Sequence, residues 1–410
     1  MKSGKSINAM MKKTSICFFS PHDLPNAHIS RNFDFAKRLS RKGHTVKIIA
    51  NNFSHRDKKR IIDNEGYYYQ KSTCDGIEVI WLNTIRYNSS KIMRGINALS
   101  YFFLSLRYAL TNKDYIEFYI GDSVPTTAGL AAYIATKAKR RKFIYQVRDV
   151  WPIALVYDKA INKTGLTYSI LRLIEVFLYK KAYKICSTVP MLNKHLQECG
   201  VSESKLVYIP NGVDLSLFKY KPASEDGKTF NIIYAGGFGN AHDVETIIRA
   251  AALLASKGFN LRFKFYGEGL KLKSCKQLAS KLSLYNVEFI RPIEKIKLAE
   301  ELSTADVLVG AVTDSDAYEF GTNLNKLYDY MAVGRPIVMA IRSPHRIIED
   351  AECGYICNPE DPVKFSEAIC LLYLMTNTQR NRMGMMGRDF VRKHFDINQL
   401  SDSFEMMLIN

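Results

Sequence analysis

Short apolar runs alternate with helical patterns along the whole chain. "SICFFS" is followed by "SRNFDFAKRLSRKG", where Phe33, Ala36 and Leu39 recur at helical spacing, Ser30 stands as N-cap and Gly43 ends the helix. "HTVKIIA" reads as the next strand. Further strands are predicted at "IEVIWLN", "YIEFYIG", "KFIYQV", "YKICSTV" and "LVYIP", with helices between most of them. The runs are nearly continuous in apolar residues, the pattern of a parallel sheet covered on both faces. After "IPNGVD" a polar stretch with Pro222 and Gly227 intervenes, and the pattern restarts at "NIIYAG", "LRFKFYG", "VEFIRP", "ADVLVG", "PIVMAI" and "GYICN". Two α/β domains of similar size are expected, joined near residues 211–228. Ligands of such sheets bind beyond the carboxyl ends of the strands, so the cleft between the domains is the expected site.

Composition narrows the class. Of 410 residues, 47% are hydrophobic and 24% charged, an ordinary globular balance. No apolar run approaches the roughly 18 residues of a membrane span. The apolar piece after Lys12 and Lys13 is too short for a signal sequence and reads as a first strand, while residues 1–10 are given no role in the fold. The eight cysteines form no C-x-x-C pair and read as reduced cytosolic thiols. The net charge is +18, and its distribution is uneven: residues 1–200 carry +19 and residues 201–410 carry −1. That asymmetry points to an anionic partner for the first half, such as a phospholipid surface, a phosphate-bearing substrate or nucleic acid. The clusters at 55–60 and 137–142 lack the interleaved aromatics of base stacking, so no nucleic acid is expected. The stretch 91–110, rich in Leu, Phe and Tyr beside Lys91, Arg94 and Arg107, is open to two readings: an amphipathic helix resting on a membrane, or an ordinary domain helix.

Three motifs carry candidate chemistry. In "NIIYAGGFGNAHDVETIIRAA" a strand ends in a glycine-rich turn and a helix begins near His242 or Asp243. Glycines admit a phosphate close to the backbone, and a helix start offers free N–H groups. The spelling is neither G-x-G-x-x-G nor a P-loop, and a plain tight turn remains the alternative. "FIYQVRDVWP" puts Arg148, Asp149 and Trp151 at the end of a strand, facing the cleft. "NLNKLYDYMA" reads as a short helix capped by Asn323 or Asn325, with Leu324, Leu327, Tyr328 and Met331 on the buried side. Lys326 at the helix start suits a phosphate, and Asp329 suits sugar hydroxyls. The pair Asp314 and Asp316 is discounted as a metal site, and no histidine–cysteine spacing suggests zinc.

In order and spacing, "VYIPNGVD", "YAGGFGNAHDVETIIRAA", "FYGEG", "VEFIRPIEK", "ADVLVG" and "NKLYDYMAVGRPIV" resemble the C-terminal domain of family 4 glycosyltransferases. "SVPTTAGLAAYIATKAKRRKFIYQVRDVWP" resembles the N-terminal domain of a branch that transfers N-acetylated amino sugars, of the N-acetylfucosamine type, in O-antigen and capsule assembly. The resemblance implies a GT-B fold, two Rossmann-like domains with mostly parallel sheets facing an interdomain cleft. The acceptor domain would span 12–213, the donor domain 214–394, and residues 395–410 would form a helix crossing back to the first domain. It implies a retaining transfer from a UDP-sugar, with no metal or other cofactor, to a polyprenyl-diphosphate-linked acceptor at the inner face of the plasma membrane.

Donor-binding residues would be Gly236, Gly237, Gly239, Asn240, His242, Glu319, Asn323, Asn325, Lys326, Leu327 and Asp329. Asp149, Lys326 and Arg148 would be catalytic, and Asn26, His28, Arg31 and Trp151 would lie on the acceptor side. The chain departs from the family in three places, one of them a histidine often found near the acceptor, represented here by Arg148–Asp149. The usual E-x7-E places Asp329 at its second glutamate but Gly321 at its first, with Glu319 two residues early. The arginine and lysine of the first glycine loop are replaced by Asn240 and His242. Two other readings stay open, a nucleotide-sugar 2-epimerase on the same fold and a non-catalytic membrane-binding GT-B protein.

Overall fold

The computed structural model describes residues 13–409, except 24, 26–29, 55–57, 64–65, 89, 158–159, 223–228 and the side chain of residue 91. The first domain holds β1 (Ser15–Phe19), β2 (Thr45–Asn51), β3 (Tyr69–Cys74), β4 (Ile77–Leu82), β5 (Phe118–Asp122), β6 (Lys142–Val147), β7 (Lys184–Ser187) and β8 (Leu206–Tyr208). They form one sheet in the order β3-β4-β2-β1-β5-β6-β7-β8, parallel except for the β3–β4 pair. The second domain holds β9 (Phe230–Ala235), β10 (Leu261–Tyr266), β11 (Val287–Ile290), β12 (Val307–Ala311), β13 (Ile337–Ala340) and β14 (Gly354–Cys357), in the order β11-β10-β9-β12-β13-β14 and parallel throughout. In both sheets the chain order reverses at an interior strand, which opens a crevice at the carboxyl ends where ligands of such folds sit.

Every predicted strand is present. The unforeseen strand, β3, is polar along an exposed edge, so the apolar pattern did not reveal it. Its signal was Asp75-Gly76, both at positive φ, a two-residue hairpin turn. Ser30 does precede the helix Arg31–Arg41, but its hydroxyl makes no cap bond and is buried with no partner among the described residues. At the glycine-rich turn the cap is real: Asp243 accepts from the Thr246 N–H at 3.2 Å and starts the helix Val244–Ala255.

Apolar side chains of β1, β2, β4 and β5 pack on one face against the closing helix Ile397–Ile409, with the Phe18 and Phe404 rings 5.9 Å apart. Polar clamps add to this packing. Lys42 pairs with Asp402 at 2.5 Å, and His44 meets Glu405 at 2.8 Å. The C-terminal residues therefore rest on the first domain and tie the two domains together. The opposite face of the sheet is covered by helices that include Lys91–Thr111, Thr126–Lys139 and Leu166–Lys181. The first and last of these leave apolar side chains exposed.

Candidate active site between the two sheets

A cavity of about 1330 Å³ lies between the domains. Its wall includes Lys58, Tyr87, Arg94, Arg148 and Asp149 from the first domain, and Gly239, Asn240, His242, Lys271 and residues 320–325 from the second.

The second domain builds a turn around a lysine. β9 ends at Ala235, and the following glycines are pinned by Gly236 N–H to Tyr266 O at 3.0 Å and Phe238 N–H to Glu268 O at 2.9 Å. The helix Asn325–Val333 brings Lys326 beneath this turn. Its ammonium donates to the Tyr234 hydroxyl at 3.4 Å and sits 4.5 Å from the centre of that ring. A Cβ on Gly236 would come within 2.7 Å of Lys326 Nζ and 2.9 Å of the Tyr234 hydroxyl, so a side chain there would displace the lysine head from its place beneath the turn. Among the described residues no carboxylate pairs with Lys326. Asp329, one turn on, is held by Lys295 at 3.2 Å. Burial lowers the Lys326 ammonium to about 7, since no carboxylate among the described residues compensates for its lost hydration. His242, on the cavity wall, is lowered to about 4 by burial and by Lys326, so it is neutral at pH 7. Its buried Nδ1 has no hydrogen-bond partner among the described residues.

Several other donor-side expectations change in detail. Neither Asn323 nor Asn325 caps the helix; Leu324 holds the cap position without a side-chain bond. The two amides instead meet Asn211 of "PNGVD": Asn323 Oδ1 accepts its backbone N–H at 3.2 Å and Asn325 Oδ1 its side-chain amide at 2.8 Å. Leu327 is a core residue, 3% exposed, and its N–H is bonded to Leu324 O, so neither faces a ligand. Asp314 and Asp316 both pair with Arg342, at 2.7 and 3.1 Å. Among the described residues no group of three or more His, Cys, Asp or Glu is placed to hold a metal.

The loop between the short turn Asp316–Tyr318 and Lys326 is fastened to the other domain. Phe320, 7% exposed, joins the first domain's core cluster with Val189 and Leu192, its ring 5.1 Å from that of His195. The Met191 N–H donates to Phe320 O at 2.9 Å. Gly321 has φ +91, and a Cβ there would lie 2.9 Å from Pro190, so both conformation and contact demand glycine. The Tyr157 hydroxyl donates to Glu319 at 3.2 Å. Glu319 thus points toward the acceptor domain, and the sequence held no sign of Phe320 as an interdomain anchor.

On the acceptor side Arg148 crosses a buried carboxylate pair, donating to Asp23 at 2.9 Å and lying 3.8 Å from Asp122. Asn32 and Gln146 also donate to Asp122. Burial pushes the Asp122 carboxyl up, with Arg148 opposing and Asp23 adding. Arg148 is therefore locked, and the exposed Asp149 beside it reaches the cavity. Trp151 is half-buried, with its neighbours Val150 and Ile153 forming the wall. Arg31 is a strut instead of a ligand-facing residue: 3% exposed, it donates to the carbonyls of Pro210 and Ile209, the latter at 2.7 Å. Asn26 and His28 lie outside the described residues.

Comparisons agree with this architecture. The family described as "Glycosyltransferase Family 4" matches residues 31–217, and "Glycosyl transferases group 1" matches residues 229–374. Both matches are to glycosyltransferase models, one in each domain, and the two-sheet architecture is the GT-B fold; together they support a glycosyltransferase. Among curated proteins it resembles the probable glycosyltransferase WbjE of Pseudomonas aeruginosa, 26% identical over 245 residues, covering 56% of this chain and 59% of that relative's length. Among solved structures it resembles sucrose-phosphate synthase of Thermosynechococcus elongatus, with TM-score 0.76, 15% identity and coverage of 96% and 98%. HepE of Anabaena, solved in complex with UDP, superposes with TM-score 0.70, 14% identity and coverage of 96% and 99%.

Proposed function

We propose that this protein is a retaining, metal-independent glycosyltransferase. It moves an N-acetylated hexosamine or deoxyhexosamine from a UDP-sugar to a polyprenyl-diphosphate-linked saccharide in bacterial surface-polysaccharide synthesis. The observation that carries the reading is Lys326: a half-buried ammonium beneath a glycine turn, with no carboxylate partner among the described residues. A buried cation without a counter-charge is costly unless a ligand supplies one. A nucleoside diphosphate does so, and the complex of HepE with UDP supports that choice.

The chemistry follows from the charge. As the sugar–phosphate bond breaks, the departing diphosphate gains negative charge. Lys326, a ring N–H of neutral His242 and the backbone N–H groups of Gly237 and Gly239 would stabilise it, those of Gly236 and Phe238 being engaged within the turn. In a same-face substitution the leaving phosphate takes the acceptor's proton, and Asp149 orients sugar hydroxyls. The Phe320 anchor holds the domains together over the donor, which excludes water. Asp329 would reach the ribose after exchanging its bond to Lys295 for one to the sugar.

The acceptor's setting is the cytoplasmic surface of the membrane. No helix among the described residues is long and apolar enough to span a bilayer. The helix Lys91–Thr111 nevertheless exposes Ile92 (77%), Ile96, Leu99 and Phe103 (64%) on one face, and Leu166–Lys181 exposes Leu166, Ile170, Leu173 and Phe177. Both stripes lie in the half that carries +19, suited to an anionic leaflet. The test is incubation with UDP-linked N-acetylhexosamines and a lipid-diphosphate sugar, read by mass spectrometry, with the product's anomeric configuration read by NMR. Transfer with retention, unaffected by chelator, is expected. Epimerised UDP-sugar without transfer, or no reaction with any donor, overturns the reading.

A further inference from the structure

Phe320 enters a core that is built around a buried polar cluster, which the transfer chemistry leaves unused. Glu175, on the helix Leu166–Lys181, is 1% exposed, and a carboxylate so enclosed needs a donor on each oxygen. Its Oε1 accepts from the Tyr179 hydroxyl at 2.9 Å and lies 2.9 Å from His195 Nε2. Its Oε2 accepts from Arg172 at 2.5 Å, and Arg172 also reaches His195 Nε2, at 2.7 Å. His195, on the helix Leu192–Glu198, is fully buried, so these two side chains fix its ring. Tyr179 and Phe320 meet the imidazole in T-shaped contacts, with centroids 6.1 and 5.1 Å away. Of these side chains Phe320 alone comes from the second domain. It precedes Gly321, pinned by its φ of +91 and by Pro190, and residues 322–325, which line the cavity and lead to Lys326. The His345 ring grips the same segment through Thr322 O at 3.1 Å. The orientation of a ring in the first domain therefore bears on the path of a loop in the second. An apolar core of like volume would be at least as stable as this buried ionic cluster. What the cluster supplies is direction, because its hydrogen bonds admit one orientation of the imidazole.

We propose that Glu175 and His195 are positioning residues for the donor site. Glu175 sets the imidazole, the imidazole seats Phe320, and Phe320 fixes the loop 321–325 against the sugar-diphosphate. Neither residue touches the ligand: both are enclosed in the first domain and act through Phe320. The proposal deepens the function given above and rests on the donor site assigned there.

The test uses the whole protein and compares wild type with His195→Leu, Phe320→Leu and the double variant, with Glu175→Gln as a milder perturbation of the same seat. Amide hydrogen exchange read by mass spectrometry, with and without UDP, reports the loop directly. Residues 321–325 are expected to exchange about ten-fold faster in His195→Leu and in Phe320→Leu, with no further gain above about two-fold in the double variant. Glu175→Gln should loosen the same loop to a smaller degree. In a transfer assay kcat should fall about ten-fold in each of the two single leucine variants, while KM for the UDP-sugar and UDP affinity stay within about two-fold. Faster exchange confined to residues 166–198 overturns the proposal, since the cluster would then be core packing alone. So do effects of His195→Leu and Phe320→Leu that multiply in the double variant. If His195→Leu does not fold, Glu175→Gln with Phe320→Leu completes the same comparison. If wild type binds no UDP, the donor assignment fails separately, while exchange at 321–325 still decides whether His195 positions that loop.

Discussion

Replacing Lys326 with methionine should make the empty protein more stable and the donor site useless. Methionine keeps the aliphatic stem that packs beneath Gly236 and removes the ammonium. Burial holds that ammonium at about 7 against an ordinary 10.5. At ~1.4 kcal/mol per unit, the folded state pays an upper limit of ~5 kcal/mol to keep it charged. The group keeps some solvent and the Tyr234 hydroxyl, so the effect is set at ~2 kcal/mol. Its pH dependence has a definite sign. Because the folded pKa lies below the unfolded one, the penalty is complete below about pH 7 and fades as pH rises toward the unfolded value. Wild type should gain stability between about pH 7 and 10, and the variant should not. Urea unfolding at about pH 6 and about pH 9.5 measures both arms, with the variant ahead mainly at the lower pH. UDP affinity should fall about ten- to hundred-fold, the worth of a charge-assisted bond to phosphate. A variant that is less stable than wild type at about pH 6, or that binds UDP normally, refutes the reasoning.

Other substitutions test the interdomain architecture. Phe320→Ala should lower stability by ~2 kcal/mol, less than for a fully enclosed phenylalanine because the domains can separate. It should also enlarge the radius of gyration in X-ray scattering and cut kcat while leaving UDP affinity intact. Gly321→Ala, strained at φ +91 and crowded by Pro190, should act in the same direction. Arg148→Met should cost ~3 kcal/mol at neutral pH by leaving Asp23 and Asp122 buried without a cation. That loss should shrink on acidification, as the raised Asp122 carboxyl takes up a proton, and thermal melts across the acid range read it directly.

Much of this was legible from sequence because the apolar runs that specify parallel strands also locate their carboxyl ends, where the site lies. The glycine turn, Lys326 and the Arg148–Asp149 pair were all found in that way. What escaped depends on partners distant in sequence. Phe320 looks like any core aromatic, yet the core it enters is built around Val189 and Leu192. Arg31 reads as a ligand-facing cation, but its guanidinium is consumed by the carbonyls that end β8. Lys326 and Asp329 are spaced as an ion pair, whereas Lys295 from another helix takes the carboxylate. That exchange leaves Lys326 without a carboxylate among the described residues and gives the site its character. The β3 edge was missed because its polar alternation carries no burial signal, although Asp75-Gly76 marked its turn.

Isothermal titration of the whole protein with UDP, in two buffers of different ionisation enthalpy and at about pH 6 and about pH 8.5, tests the central claim most directly. Lys326 is largely neutral in the empty site at the higher pH and must be charged to meet a diphosphate. The account predicts saturable binding that takes up close to one proton at about pH 8.5, almost none at about pH 6, and none in Lys326→Met. No saturable UDP binding, or binding without proton uptake at the higher pH, would contradict it.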